Sequence, residues 1–378
     1  MLRHAVTIFR VQGIPVRVHG SWLFILGLLT WSLAAGYFPT VLPGRPSAAY
    51  WIHGFVAALL LFASVFVHEL AHAVAAVRYG VPVSGITLHV FGGVSQLEQE
   101  PDRPGAEAVI AAVGPLTSFA IAAALTGALT FLPRQPVASA VLRYLMIVNV
   151  AVGIFNLLPG FPLDGGRLLR AALWKARGSF QWATRIASHA GSGFAFLLVA
   201  LGLLRGFAGE LIGGLWLVLI GLFLRQAAQG SYEQVVVRRA LGPLSVGDVM
   251  AREVVHVPAD LPVARVMELF WRHHVSSFPV LEGRRVVGIV NLQRLGQVRQ
   301  DRWGETPARD VMLTIDASLT AAPGDRLWGA FDKLSRNGLG RLAVVHEGAL
   351  VGYLSLKDVT HVLAVSTAGD GLEQHRAA

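Results

Sequence analysis

The sequence lacks cysteine and is poor in charge. Without cysteine neither a disulfide framework nor a thiolate zinc site can form, so any metal must be held by histidine and carboxylate. Charged residues make up 15% of the 378 residues, 54% are hydrophobic, and the mean hydropathy is +0.55. An ordinary soluble domain carries about 25% charged residues. The deficit predicts a membrane protein, and because charge is sparse before residue 230 and ordinary after it, a soluble part is expected to follow the membrane part.

Six apolar segments are long enough, or nearly so, to cross a hydrocarbon core that needs about 20 residues. They are 21–38, 51–77, 108–132, 137–158, 186–204 and 208–228, of which the last is the weakest because it contains Arg225 and Glu210. The net charge of +9 does not indicate nucleic-acid binding, because the arginines gather at the ends of these segments. Their distribution, which includes Arg167 and Arg170 on one side, predicts a multi-pass plasma-membrane protein with both termini cytoplasmic. The first twenty residues lack the apolar core of a cleavable signal peptide.

Residues 81–98, between the second and third segments, are too polar and too few to span a bilayer. β-Branched residues on both sides of Gly92 and Gly93 predict a β-hairpin associated with the membrane. Such non-helical backbone is tolerated at membrane depth only where protein or a wet cavity surrounds it. A patch of small residues in the third segment, 114–118, predicts close packing of that helix against a neighbour.

After residue 242 the sequence contains an internal repeat. The motif at 246–250, VGDVM, returns at 308–312 as ARDVM, and the motif at 287–291, VGIVN, returns at 351–355 as VGYLS. Two similar α/β modules are therefore predicted at 244–300 and 306–364, behind a membrane domain at 1–230. The expected fold is a polytopic α-helical membrane protein with a soluble α/β pair.

The second segment contains the motif His68-Glu69-Leu70-Ala71-His72. On a helix, residues four apart project from one face, so two imidazoles can reach one tetrahedral Zn²⁺ ion. Glu69 is then placed to act as general base toward water that the metal acidifies. Ionisable residues inside a membrane are costly, which makes a functional site the default hypothesis. The alternative is a buried polar cluster whose members satisfy one another.

A catalytic zinc needs a third protein ligand, and the candidate is Asp164. It follows the fourth segment, where prolines and a glycine pair predict an irregular backbone, and it should lie at the depth of His72. The alternatives are an exposed loop aspartate or a helix cap. Asn156, in the last turn of the fourth segment, is a candidate donor to an oxyanion or else a structural asparagine. Asn149 is expected to bond a neighbouring helix.

These two signatures and their spacing resemble the site-2 protease family of intramembrane zinc metalloproteases over about residues 20–228. The resemblance implies that zinc is held by His68, His72 and Asp164 and that Glu69 is the catalytic base. It implies that Asn156 contacts the substrate or oxyanion. The resemblance also implies that the hairpin with Gly92 and Gly93 lies beside the active site, where an unwound substrate adds as a strand. The substrates implied are anti-sigma factors or other membrane-tethered regulators.

The C-terminal repeat resembles a tandem pair of CBS domains over about residues 244–364, a module that often binds adenine nucleotides. The family's ribose contact, a Ser or Thr followed three residues later by Asp, is present as Ser355 and Asp358. The first copy departs from it, with Asn291 and Arg294 at those positions. The resemblance thus implies at most one nucleotide site. The alternative is a pair that serves only to form a homodimer.

Two other functions are open on the sequence. A CBS-gated ion transporter or channel would use the intramembrane histidines and aspartate as an ion pathway. Transporters often contain two repeated halves with paired broken helices, but residues 1–120 and 121–230 show no such repeat. A proteolytically inactive binding protein of the same fold is disfavoured by the intact Glu69.

Overall fold

The long apolar runs are helical in the computed structural model, which describes residues 5–89, 92–97, 99–131 and 135–376. Within these residues, five helices are long and apolar enough to cross a membrane: Ser21–Val41, Ser47–Arg78, Pro104–Phe131, Pro136–Asn156 and Phe180–Phe207. The first consists of α1 (Ser21–Ser32), a π-helical segment (Leu33–Tyr37) and α2 (Phe38–Val41), and the others are α3, α4, α5 and α7. Large apolar side chains such as Phe24 and Phe196 are 70% and 69% exposed, as expected of surfaces that face lipid.

The five helices correspond to the first five predicted segments, with shifted ends. α4 begins at Pro104 rather than 108, because the charged side chain of Glu107 is buried against an arginine and so tolerates the helix interior. α7 begins at Phe180, where the Ser179 hydroxyl caps the helix by accepting from the Trp182 amide, 3.3 Å away. Residues 90, 91, 98 and 132 of the predicted segments lie outside the described residues.

The sixth predicted segment, 208–228, corresponds largely to α8 (Leu211–Leu241). This helix is not among the five that qualify within the described residues, and its crossing of the membrane stays a prediction. The chain forms two compact units, Met1–Glu233 and Gln234–Ala378.

A four-stranded sheet belongs to the first unit, in the order β1 (Ala5–Val11), β2 (Ile14–His19), β3 (Val83–His89) and β4 (Gly92–Leu97). The antiparallel pair β3–β4 confirms the predicted hairpin, except that Gly92 and Gly93 begin the second strand instead of forming the turn. The β1–β2 hairpin was not predicted, although Gln12 and Gly13, at φ 50° and 82°, mark a tight turn between two short runs of strand-forming residues.

The irregular backbone expected after the fourth segment is confirmed up to Leu163, but a helix then begins, and Gly165 and Gly166 lie inside it. α6 (Asp164–Arg177) ends just before Gly178, whose φ of 73° stops the helix in the left-handed region. One face of α6 packs against α4 and α7. Arg170 is consequently buried, whereas the sequence indicated an exposed topogenic charge.

The second unit contains seven strands and six helices. Its strands are β5 (Val257–Pro258), β6 (Ser277–Glu282), β7 (Arg285–Asn291), β8 (Leu313–Thr314), β9 (Thr320–Ala321), β10 (Arg341–His346) and β11 (Ala349–Ser355). They form one sheet in the order β5-β6-β7-β11-β10-β9, with β8 paired to β7. Its helices are α9 (Val246–Val249), α10 (Val263–His273), α11 (Leu292–Leu295), α12 (Ala308–Val311), α13 (Leu327–Arg336) and α14 (Leu356–Arg376), with a 3₁₀ turn at Gln300–Arg302.

The repeated motifs pack across the two copies. Met250 of the first copy lies against Gly352 of the second, and Met312 of the second lies against Gly288 of the first. A Cβ at either glycine would overlap the methionine sulfur, so each copy completes the core of the other. This reciprocal packing explains why the same two motifs recur.

Candidate metal centre

Two histidines lie one turn apart on α3 (Ser47–Arg78). The Nε2 atoms of His68 and His72 are 3.2 Å apart, and only 4% and 5% of the two residues is exposed. Because residues four apart share a helix face, the spacing alone brings these rings together. Two buried imidazole nitrogens directed at one point are suited to bind one metal ion.

The other ring nitrogens are held by α4. The Nδ1 of His72 lies 2.6 Å from the Ile110 carbonyl oxygen, which can only accept, so this nitrogen carries the ring proton. The Nδ1 of His68 lies 2.9 Å from the Ser118 hydroxyl oxygen. A proton on Nδ1 leaves the Nε2 lone pair available, which is the tautomer that a ligating histidine needs.

Gly114 lets α4 approach the histidine pair this closely. A Cβ at this position would overlap Nε2 of both His68 and His72. The close packing predicted for 114–118 is confirmed, and its partner is the metal-binding face of α3.

Asp164, the first residue of α6, completes the cluster. Its Oδ2 lies 3.3 Å from Nε2 of His68 and 3.2 Å from Nε2 of His72. Burial alone raises the pKa of the Asp164 carboxyl, but when the two histidines are protonated, hydrogen bonds from their Nε2 atoms and their charge outweigh burial and hold the pKa below its ordinary value. The carboxylate is therefore available as an anionic ligand at neutral pH.

The three donor atoms fit a zinc ion. In a tetrahedral site with metal–ligand bonds of about 2.1 Å the donors lie about 3.4 Å apart. Here the three separations are 3.2, 3.2 and 3.3 Å. His68, His72 and Asp164 form the candidate metal-binding group among the described residues. Two histidines and a carboxylate would leave a fourth position open, as catalytic zinc requires.

A cleft of about 170 Å³ opens beside this cluster. It is lined by residues from the hairpin, from three helices and from the segment just before α6: Glu69, His72, Gly93, Leu97, Ile110, Pro162, Asp164 and Arg167. Gly93 of β4 lies against the Glu69 side chain so closely that a Cβ there would overlap Glu69 Cγ. The carboxylate proposed from the sequence as a base thus lines the same cleft as the metal ligands.

A buried charge cluster, which the sequence did not reveal, supports these elements. The guanidinium of Arg170 forms ion pairs with Glu107 of α4 and, at 2.8 Å, with Glu100. It also stacks over the rings of Phe161 and Phe180, at 5.0 and 4.5 Å from their centroids. The cluster therefore joins α6, which carries Asp164, to α4, which orients both histidines.

The remaining predicted residues of this unit lie elsewhere. Asn156, the last residue of α5, is partly buried and is not among the residues that line the cleft. Asn149 confirms the structural role expected of it, because its amide donates to Ser64 Oγ at 3.2 Å and to the Leu145 carbonyl at 2.8 Å. Gly92 pairs with His89 across the hairpin.

Ser355 and Asp358, the predicted ribose contacts, bond to each other at the start of α14. The Ser355 hydroxyl donates to Asp358 Oδ2 at 2.6 Å, and the Ser355 amide donates to the same oxygen at 2.9 Å. The backbone amide of Asp358 in turn donates a hydrogen bond to Ser355 Oγ. This reciprocal pattern caps a helix by itself, so the two residues have a structural role whether or not a nucleotide binds.

Two family descriptions match the chain. Peptidase family M50 matches residues 56–143 and 134–200, and the CBS domain matches residues 246–295 and 308–365. The first match includes the histidine pair and Asp164, and the second includes both copies of the repeat.

Known proteins match nearly the whole chain. Rip3 of Mycobacterium tuberculosis, which carries the name of a zinc metalloprotease, is 37% identical over 372 residues, which are 96% of this chain and 94% of that protein. The zinc metalloprotease MJ0392 of Methanocaldococcus jannaschii is 27% identical over 96% of this chain and 97% of its own. A solved site-2 protease from the same archaeon is 30% identical, covers 61% of this chain and 95% of its own, and superposes with a TM-score of 0.43.

Proposed function

Because the chain belongs to peptidase family M50 and is a zinc metalloprotease of the site-2 type, we propose that it hydrolyses a peptide bond in or beside the membrane-spanning segment of a regulatory protein. The observation that carries this proposal is the convergence of His68, His72 and Asp164 beside Glu69, with the histidines and Glu69 on a helix apolar enough to span a membrane. A site on a membrane-spanning helix is accessible to substrates that are themselves in the membrane. The enzyme family also disfavours the ion-transporter alternative.

The proposed roles follow from the geometry. His68, His72 and Asp164 hold zinc, with Ile110 and Ser118 fixing the ring orientations. When bound there, zinc supplies a Lewis acid that polarises the scissile carbonyl and acidifies water near neutral pH. Glu69 takes the proton of the attacking water and gives it to the nitrogen of the leaving amine.

The hairpin is the proposed docking strand. β4 is the last strand of its sheet, and within the described residues it pairs only with β3. A helix hides its peptide carbonyls, so a substrate must unwind before it can be cleaved. An unwound segment that adds along β4, over Gly92 and Gly93, would pass Glu69 in extended form.

The second unit is the proposed regulatory module. In this proposal the CBS pairs of two chains associate, and an adenine nucleotide bound at Ser355 and Asp358 modulates cleavage. Support comes from the family match and from the Ser-x-x-Asp pattern in the second copy. Both termini and this unit are proposed to lie on the cytoplasmic side of the plasma membrane.

The decisive experiment on the mechanism is Glu69→Gln in the purified full-length protein. We expect zinc content to be unchanged and cleavage of a membrane-tethered reporter to fall by at least about 10²-fold, because the amide cannot accept the proton. Glu210→Gln is the matched control, since Glu210 is exposed and pairs only weakly with Arg205 at 3.7 Å. Cleavage retained by a zinc-loaded Glu69→Gln enzyme contradicts the mechanism.

A further inference from the structure

Two arginines on α6 lie one turn apart in different surroundings. Arg170 is 3% exposed, and its charge is matched by Glu107 and Glu100. Arg167 is only partly buried and lines the cleft together with Glu69, His72 and Asp164. Within the part of the chain that the structure describes, its guanidinium makes no hydrogen bond and no ion pair at contact distance, and it interacts with the Glu107 charge only at longer range. Its donors are thus available to a molecule in the cleft.

The position of Arg167 follows from that of Asp164. Residues three apart lie on the same face of a helix, so a side chain one turn after Asp164 projects along the same side of α6. That side faces the metal ligands and the Gly93 backbone across the cleft. A planar guanidinium with five N–H donors suits a carbonyl oxygen that gains negative charge.

We propose that Arg167 is a further catalytic residue, whose guanidinium donates hydrogen bonds to the oxygen of the scissile carbonyl. This inference rests on the proposed peptidase function. It assigns to Arg167 the role that the sequence suggested for Asn156, which is not among the residues that line the cleft.

The charges in the cleft make the interaction of Arg167 with the carbonyl oxygen strongest after water has attacked the carbonyl carbon. Zinc held by two neutral histidines and one carboxylate has one net positive charge, which ionised Glu69 balances. When the water oxygen bonds to the carbonyl carbon, its proton passes to Glu69 and the π electron pair moves onto the carbonyl oxygen. Glu69 is then neutral, and the Arg167 cation faces a new anion. Collapse restores the carbonyl, breaks the C–N bond and returns the proton to the amine nitrogen. An interaction that strengthens along this path accelerates the reaction.

The test compares Arg167→Gln and Arg167→Lys with Lys175→Gln in the full-length, zinc-loaded protein. Lys175 is an exposed cation in the last turn of the same helix, so its variant removes equal charge outside the cleft. We expect Arg167→Gln to lower kcat by about 10²–10³-fold, with zinc content and KM little changed. Arg167→Lys should restore part of the rate, and Lys175→Gln should match the wild type.

A binding measurement separates this inference from the peptidase proposal. The probe is a phosphinic peptide, whose anionic oxygens imitate the tetrahedral oxyanion, beside the amide peptide of the same sequence. Arg167→Gln should lose affinity for the phosphinate as it loses kcat, and keep its affinity for the amide. Equal phosphinate affinity in both proteins, a wild-type kcat in Arg167→Gln, or a loss of zinc from that variant overturns the inference. Absence of cleavage by the wild type contradicts the peptidase proposal, and the phosphinate comparison still decides the role of Arg167.

Discussion

The two units use their carboxylates in opposite ways. In the first unit, Glu107 is fully buried and Asp164 is largely buried, and both find their partners far along the chain, on other helices. In the second unit, Asp248 and Asp316 are exposed and bond to serines two or three residues away. Buried charge must be paired or bound to metal, whereas exposed charge can serve a local cap at little cost. Carboxylates with long-range partners thus lie at the metal centre and its supports, and substitutions of single residues test this division.

The largest effect is expected at Asp164. Asp164→Ala removes one of three ligand atoms and leaves two histidines that cannot hold zinc tightly alone. Loss of a supporting residue typically lowers metal affinity by about 10–100-fold, so loss of a ligand should exceed that and abolish cleavage. Metal analysis of the purified protein against wild type checks this. Unchanged zinc content would remove Asp164 from the ligand set.

A smaller effect, on stability, is expected from the buried charge cluster. Arg170→Met leaves the fully buried Glu107 carboxylate without its cation and should lower the free energy of unfolding by about 3–5 kcal/mol. Adding Glu107→Gln should recover most of this loss, because the uncompensated charge is then gone. Denaturation in mixed detergent micelles measures both.

Glu100→Gln is the matched control for this cluster. The Glu100 side chain is 34% exposed, so water screens its pair with Arg170, and about 1 kcal/mol or less should be lost. If Arg170→Met and Glu100→Gln cost the same, burial does not decide the strength of these pairs, and the contrast between the two units weakens.

The next smaller effect is expected from substitution of Gly114. Gly114→Ala forces α4 away from the histidine pair and should cost about 1–3 kcal/mol of stability together with part of the zinc affinity. Gly127→Ala on the same helix is the control, because a Cβ there meets no atom within 4 Å. That change should be neutral or slightly stabilising, since alanine is the better helix former. Equal losses of stability and zinc affinity in both variants would mean that close packing of Gly114 against the histidine pair is not what these properties require.

The sequence predicts what is encoded over short distances. A helical period reveals the spacing of His68 and His72, and strand-forming residues around a turn reveal the hairpin at 81–98. The repeat is revealed by short motifs that recur at a nearly fixed offset. The role of Arg170 depends on Glu107, 63 positions away, so its local context resembled that of any arginine beside a span. Arg167 was interpreted as a topogenic charge for the same reason.

The smallest effect belongs to the local caps of the second unit, and its pH dependence has a definite sign. The Ser245 hydroxyl donates to Asp248 Oδ2 at 2.6 Å and the Ser245 amide at 2.8 Å, and these bonds hold the pKa of the Asp248 carboxyl below its ordinary value. A carboxyl whose pKa is depressed by folding stabilises the fold above its unfolded pKa, about 3.9, and loses that contribution as the pH falls through the folded value.

Asp248→Asn should therefore reduce the amide-exchange protection of α9 by a constant factor between about pH 5 and 8, where the wild-type carboxylate is ionised. Below about pH 4 the two proteins should converge, because the wild type loses its charge there too. Ser245→Ala should abolish most of the difference, since the hydroxyl is the principal donor. Zinc content and cleavage should not change with Asp248→Asn alone. A difference that grows on acidification would mean that Asp248 acts through a partner other than Ser245, and the division between local and long-range carboxylates would then not hold for this cap.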